Sequence, residues 1–134
     1  MIIEKKYHFY AAHRNKAGGE KCGRIHGHTY EVKTSFRFEI INENGICFLF
    51  SDIDKLVEPI IKEYDHIFLI YEKDPLVDLL KMENEEIKLL PFETSLENLS
   101  IWIYTEIKNR TALPIFRIEM AETKTSSIIY EPKN

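Results

Sequence analysis

Between Ile25 and Ile41 the chain alternates almost strictly. Val32, Thr34, Phe36, Phe38 and Ile40 fall on one side, and Glu31, Lys33, Ser35, Arg37 and Glu39 on the other. A period of two predicts a long strand with one buried face. Residues 2–13 predict an earlier strand of mixed faces, in which Phe9, Ala11 and His13 share a side. The segment between them, 14–23, is broken by Gly18-Gly19 and kept wet by Lys16, Glu20 and Lys21, so it predicts a loop. Asn42-Glu43-Asn44-Gly45 is a hairpin turn signal, and 46–50 predicts the returning strand, with Cys47 in the core between Ile46 and Phe48.

The period then changes. Ile53, Leu56, Val57, Ile60, Ile61 and Tyr64 follow a helical spacing that Ser51 or Asp52 can cap. Pro59, on the polar side, predicts a kink or a split. An apolar stretch at 67–70 follows Asp65-His66. A short helix is expected from Asp74-Pro75 to about Lys81, and 83–90 is compatible with a strand. Thr94 with Glu97 three residues on reads as a capping box for a helix to about Asn109, burying Leu99, Trp102, Ile103 and Ile107. Residues 115–123 alternate again, with Phe116, Ile118, Met120 and Glu122 on one face, and 126–130 predicts a closing hairpin strand. The order ββααββ predicts one α+β domain over 1–134, an antiparallel sheet with helices packed on one face.

Composition narrows the function classes. The 134 residues suit one domain and leave little chain for a deep cleft, so a pocket shared within a homo-oligomer is expected. A formal charge of −4 argues against nucleic acid as a partner, since phosphate backbones need a basic face. No apolar run has the length of a membrane span, and nothing at the N-terminus resembles a signal peptide. A cytoplasmic setting is expected, with Cys22 and Cys47 as thiols, although counting alone allows a disulfide.

The chemistry gathers in Cys22-Gly23-Arg24-Ile25-His26-Gly27-His28. Side chains at i and i+2 of a strand point together, so His26 and His28 converge. His13 ends the first strand on its apolar side, whereas His8 faces away. Three neutral imidazoles suit Zn²⁺ and leave one coordination position open, the pattern of a catalytic site; with Cys22 as fourth ligand the site would be closed and structural. As a free thiol beside Lys21, Arg24 and a cation, Cys22 is a candidate general base. Asp65-His66 reads either as a helix end or as a carboxylate orienting an imidazole for proton transfer, each reaching a different partner because adjacent side chains do not ordinarily bond. Glu122 on an apolar face requires a partner, either a lysine, a backbone amide or a ligand with two adjacent N–H donors. Thr94 is a cap whose hydroxyl could also face a ligand.

Taken in order, Phe9-Tyr10-Ala11-Ala12-His13, Cys22-x-x-x-His26-Gly27-His28, Asp65-His66, Thr94-x-x-Glu97-Asn98-Leu99 and Glu122-Thr123 resemble the 6-pyruvoyl-tetrahydropterin synthase / 6-carboxy-tetrahydropterin synthase family. The resemblance implies the tunnelling fold (T-fold), with two pairs of antiparallel strands assembled into trimeric barrels and hexamers as dimers of trimers. It implies Zn²⁺ on His13, His26 and His28, and 7,8-dihydroneopterin triphosphate as substrate. Cys22 would be the base, Asp65 and His66 a relay from a neighbouring subunit, and Glu122 and Thr94 substrate-binding residues, with Glu122 anchoring the aminopyrimidine edge of the pterin. Lys21, Arg24 and Arg14 are nearby cations. The chain has Leu49-Phe50 where the family commonly has Asp-Phe, and Leu69-Ile70 where Leu-Asn is usual.

Within the family, release of acetaldehyde and triphosphate to give 6-carboxytetrahydropterin, a precursor of deazaguanine bases, is the favoured reading. Triphosphate elimination alone, giving the pyruvoyl product, is the alternative. An aldolase-like relative would carry glutamate in place of the cysteine, and Glu20 is out of register for that. From another class, a non-catalytic zinc-stabilised assembly module predicts a metal closed by Cys22 and no turnover.

Overall fold

The computed structural model describes residues 1–133. Its frame is one long antiparallel pair, β1 (Ile2–His13) and β2 (His26–Arg37), joined in register from Ile2 opposite Arg37 to His13 opposite His26. β5 (Ile115–Ala121) pairs with the other edge of β2, with a register shift at Ser35/Phe36 that sets Phe36 opposite Ile115. β6 (Ile128–Tyr130) closes the antiparallel side.

On the other flank β3 (Ile67–Tyr71) and β4 (Ile87–Leu90) add in parallel, giving the order β4-β3-β1-β2-β5-β6. The antiparallel expectation therefore holds for the four strands around β2, and two parallel strands extend the sheet.

α1 (Phe50–Lys62) and α3 (Leu96–Arg110) cover one face. Phe9, Tyr30, Val32, Phe36, Ile118 and Met120 project from the sheet into this core. Ile53, Val57 and Ile60 of α1 and Leu99, Ile103 and Ile107 of α3 meet them, all nearly or fully buried. Phe9 stacks on Tyr30 with ring centroids 4.8 Å apart. α2 (Leu76–Met82) departs from the one-face expectation. Its Val77 and Leu80 pack with Ile70, while Leu69, the adjacent residue of β3, faces the main core. Neighbouring strand residues point to opposite faces, so α2 lies on the far side. A parallel β3–β4 pair needs a crossover, and α1 and α3 already occupy the near side.

The strand predicted at 46–50 does not form, because both edges of β2 are taken by β1 and β5. The turn signal is still used: Asn42 Oδ1 accepts from the backbone of Asn44 and Ile46, and Gly45 has φ +80°. Cys47 is half-buried in this loop rather than in the core, with Sγ 3.6 Å from Met1 Sδ. Both cysteines are free thiols. β2 stops at Arg37, and α1 begins at Phe50 with no side-chain cap from Ser51 or Asp52. α1 runs through Pro59 to Lys62 as one helix. The cap of α3 is Ser95, not Thr94: its Oγ accepts from Asn98 N at 3.2 Å, while Asn98 Nδ2 donates back to Glu93 O at 2.9 Å.

Candidate metal centre

The β1–β2 register builds the site. His13, the last residue of β1, is the cross-strand partner of His26, the first of β2, and His28 projects two residues on from the same face. One ring nitrogen from each of the three lies within 4.8 Å of the others, and the Nε2 atoms of His13 and His26 are 3.1 Å apart. Tetrahedral zinc with Zn–N of about 2.0–2.1 Å spaces its ligand atoms roughly 3.3 Å apart, so the donor set fits such an ion.

On two of the rings the other nitrogen is occupied. His13 Nδ1 lies 3.0 Å from Thr94 O and 3.1 Å from Thr94 Oγ1, and His26 Nδ1 lies 2.7 Å from Arg24 O. A carbonyl can only accept, so both rings carry their proton on Nδ1 and present the Nε2 lone pair. Burial, reinforced by His26, brings the His13 pKa down to about 4. Burial also lowers that of His28, against the pull of Glu122. His13 is thus neutral at pH 7, the form that binds a metal.

A cavity of about 380 Å³ opens over the triad, with Cys22, Asn15, Glu97 and Glu122 among its walls. Cys22 is exposed in the 14–25 loop and is not in the ligand cluster, which among the described residues consists of the three histidines. The loop returns through Asn15 N to Cys22 O at 2.7 Å. Gly18 is needed there: a Cβ on it would lie 2.8 Å from Cys22 Cβ. Glu122 follows the end of β5, not within it, on the side of Ile118 and Met120, with Oε2 3.6 Å from His28 Nε2. Thr94 is fully buried behind His13, and its hydroxyl bonds to His13 and Arg14 rather than opening on the cavity.

Asp65 and His66 are brought together, against the expectation for neighbours in sequence. His66 takes φ +56°, which turns its ring back so that Nδ1 lies 2.8 Å from Asp65 Oδ2. Tyr10 holds both: its N–H donates to Asp65 Oδ1 at 2.9 Å and its carbonyl accepts from His66 N at 2.6 Å. The Tyr10 amide, then His66, keep the Asp65 pKa below the usual carboxylate range. This dyad does not line the triad's cavity. His66 borders a second depression with Tyr10, Thr29 and Glu85, which the triad's His28 also lines.

Sequence reasoning missed what three residues do. Asn15 reaches the cavity, and its buried Oδ1 has no hydrogen-bond partner among the described residues. Arg14 and Asp74 form an ion pair, of which only the position of Arg14 beside His13 gave any hint.

Residues 2–133 match the family described as 6-pyruvoyl tetrahydropterin synthase. A 6-carboxy-5,6,7,8-tetrahydropterin synthase of Bacillus subtilis is 30% identical, covering 98% of this chain and 85% of the relative. One from Haemophilus influenzae is 28% identical, covering 96% and 97%. A Wolinella succinogenes protein of uncharacterised function superposes with TM-score 0.87 at 17% identity, covering 99% of this chain and 98% of the other. The Caenorhabditis elegans 6-pyruvoyl tetrahydropterin synthase superposes with TM-score 0.76 at 22% identity, covering 99% and 96%. These structural likenesses concern the T-fold.

Proposed function

The chain belongs to the 6-pyruvoyl tetrahydropterin synthase family, and on that premise we propose that it is a zinc-dependent lyase. It converts 7,8-dihydroneopterin triphosphate to 6-carboxytetrahydropterin, releasing triphosphate and acetaldehyde. The observation that carries this reading is the three-histidine cluster under a cavity, with a thiol and a carboxylate beside it and outside the ligand set. A closed structural site would need a fourth protein ligand, and Cys22 is not in the cluster. The B. subtilis and H. influenzae relatives, named for the carboxy product, favour it over the pyruvoyl product.

His13, His26 and His28 would hold Zn²⁺, which when bound polarises the hydroxyls of the substrate side chain. Cys22 takes a proton from that side chain as general base. Glu122 accepts from the two adjacent N–H groups of the aminopyrimidine edge, which gives its half-buried carboxylate a partner. Asp65 fixes the His66 tautomer, leaving Nε2 to move the second proton. Neither Asp65 nor His66 lines the cavity over the triad that Cys22 and Glu122 share, which supports a neighbouring copy in a homo-oligomer as the source of this group.

Mass spectrometry of products from 7,8-dihydroneopterin triphosphate and zinc-loaded protein tests the proposal. Stoichiometric 6-carboxytetrahydropterin and acetaldehyde are expected. The pyruvoyl product would move the chain to the other reaction of its family. Unchanged substrate would leave the zinc-stabilised assembly role.

A further inference from the structure

The residue that follows the metal ligand His13 is tied down from two sides. Arg14 Nε donates to Asp74 Oδ2 at 2.9 Å, and its Nη2 donates to Asp74 Oδ1. The two side chains are 17% and 6% exposed, so the fork is largely shielded from water. Asp74 Oδ1 also accepts from Leu76 N at 2.9 Å, which fixes the carboxylate to the start of α2. On its main-chain side, the Arg14 carbonyl accepts from Thr94 Oγ1 at 3.3 Å. Thr94 is in turn the acceptor for His13 Nδ1–H. One connected chain of bonds therefore runs from α2, on the far face of the sheet, through Arg14 and Thr94 to a ring of the triad.

We propose that Arg14 and Asp74 are positioning residues for His13, acting through Thr94 to fix its ring and tautomer. This rests on the reading of the triad as a metal centre. Three features favour it over simple docking of α2. Docking is already served by Val77 and Leu80 against Ile70. The fork is bidentate, so it fixes orientation as well as distance. The Nε and Nη2 edge of the guanidinium is also committed to Asp74, which sets Arg14 apart from the other cations near Cys22 that could meet a phosphate. The ion pair holds the Arg14 pKa up and the Asp74 pKa down, as paired charges do.

The test is zinc affinity of the full-length protein by chelator competition, with the visible spectrum of the Co²⁺-loaded protein as a report on ligand geometry. Groups that orient a metal-bound histidine change affinity by about 10- to 100-fold, and the low end is expected for Asp74→Asn, which keeps an acceptor for Leu76. Arg14→Lys keeps the charge but loses the fork, and an intermediate loss is expected. Should Asp74→Asn fail to fold, the double variant Arg14→Met/Asp74→Leu replaces the buried charges by apolar groups and keeps packing. It too should bind zinc about 10-fold more weakly, with a shifted Co²⁺ spectrum. Val77→Ala, which loosens α2 without touching the fork, should leave both readouts at wild-type values. Wild-type affinity in the folded double variant overturns the proposal, and so does an equal loss in Val77→Ala. Failure of the wild-type protein itself to bind zinc would instead sink the metal-centre reading.

Discussion

The two histidine clusters of this chain are built in opposite ways. The triad sits at the end of a twelve-residue antiparallel pair, so its geometry is inherited from the whole β1–β2 register. His13 is 3% exposed and hydrogen-bonded from behind. The Asp65-His66 dyad hangs on two backbone bonds from one residue, Tyr10, and on a left-handed His66 whose side chain is 76% exposed. A left-handed non-glycine residue costs of order 1–3 kcal/mol, and such strain persists where the surroundings enforce it. The contrast separates an enclosed centre from a group presented outward, which the proposed function has a second copy complete.

The sharpest break of that comparison is His26→Ala. Two imidazoles remain, and zinc affinity should fall by more than about 100-fold, beyond what loss of an orienting group costs; activity should vanish with it. Elemental analysis showing one zinc per chain in this variant would contradict the assignment. Cys22→Ala separates chemistry from binding. It should retain stoichiometric zinc yet lose about 100-fold or more in turnover, the usual contribution of a positioned acid or base. If zinc leaves with the sulfur, the site is the closed structural one. A third experiment addresses the dyad. Each of Cys22→Ala and His66→Ala should be nearly inactive alone with zinc bound. Refolded together, they should regain a fraction of wild-type turnover, because some sites then combine an intact thiol with an intact imidazole from different chains. No recovery from verified mixed oligomers would place both groups on one chain.

How legible these features were follows from their range. The triad was readable because strand parity and a hairpin are local rules: the alternation at 31–40 fixes which way His26 and His28 point. The dyad's geometry was not, because it depends on one backbone torsion at His66 that no spacing encodes. The strand expected at 46–50 failed for a non-local reason. Its segment has strand character, but β5, some seventy residues on, holds the edge of β2 that it would need. Thr94 was misread by one position for a related cause. Thr94 and Ser95 can each cap a helix, and only the demand of a buried His13 for an acceptor assigns them. The partners Arg14 and Asp74 are sixty residues apart. α2 on the far face follows from the parallel β3–β4 pair, which alternation along single strands does not reveal.

The smallest expected effect is also the one that weighs burial against exposure most directly. In the metal-free protein His13 has a pKa of about 4, against 6.5 for an unfolded histidine. Between those values the unfolded chain binds a proton that the folded one does not, so stability falls as pH drops from about 6.5 to 4. At 1.36 kcal/mol per pH unit the loss is on the order of 3 kcal/mol. His28 is shifted in the same direction and adds to it. The carboxyls of Asp65 and Asp74 are shifted down. Their contributions survive this window and are lost only at lower pH, as each is protonated in the fold. Denaturant midpoints of zinc-free protein should therefore decline between pH 7 and 5, and zinc should oppose the decline, since a coordinated imidazole resists protonation. His13→Gln, which removes the titrating ring, should flatten the profile. A wild-type midpoint that holds steady to pH 5 would mean that His13 reaches water, and that the enclosed triad and the open dyad are more alike than their surroundings imply.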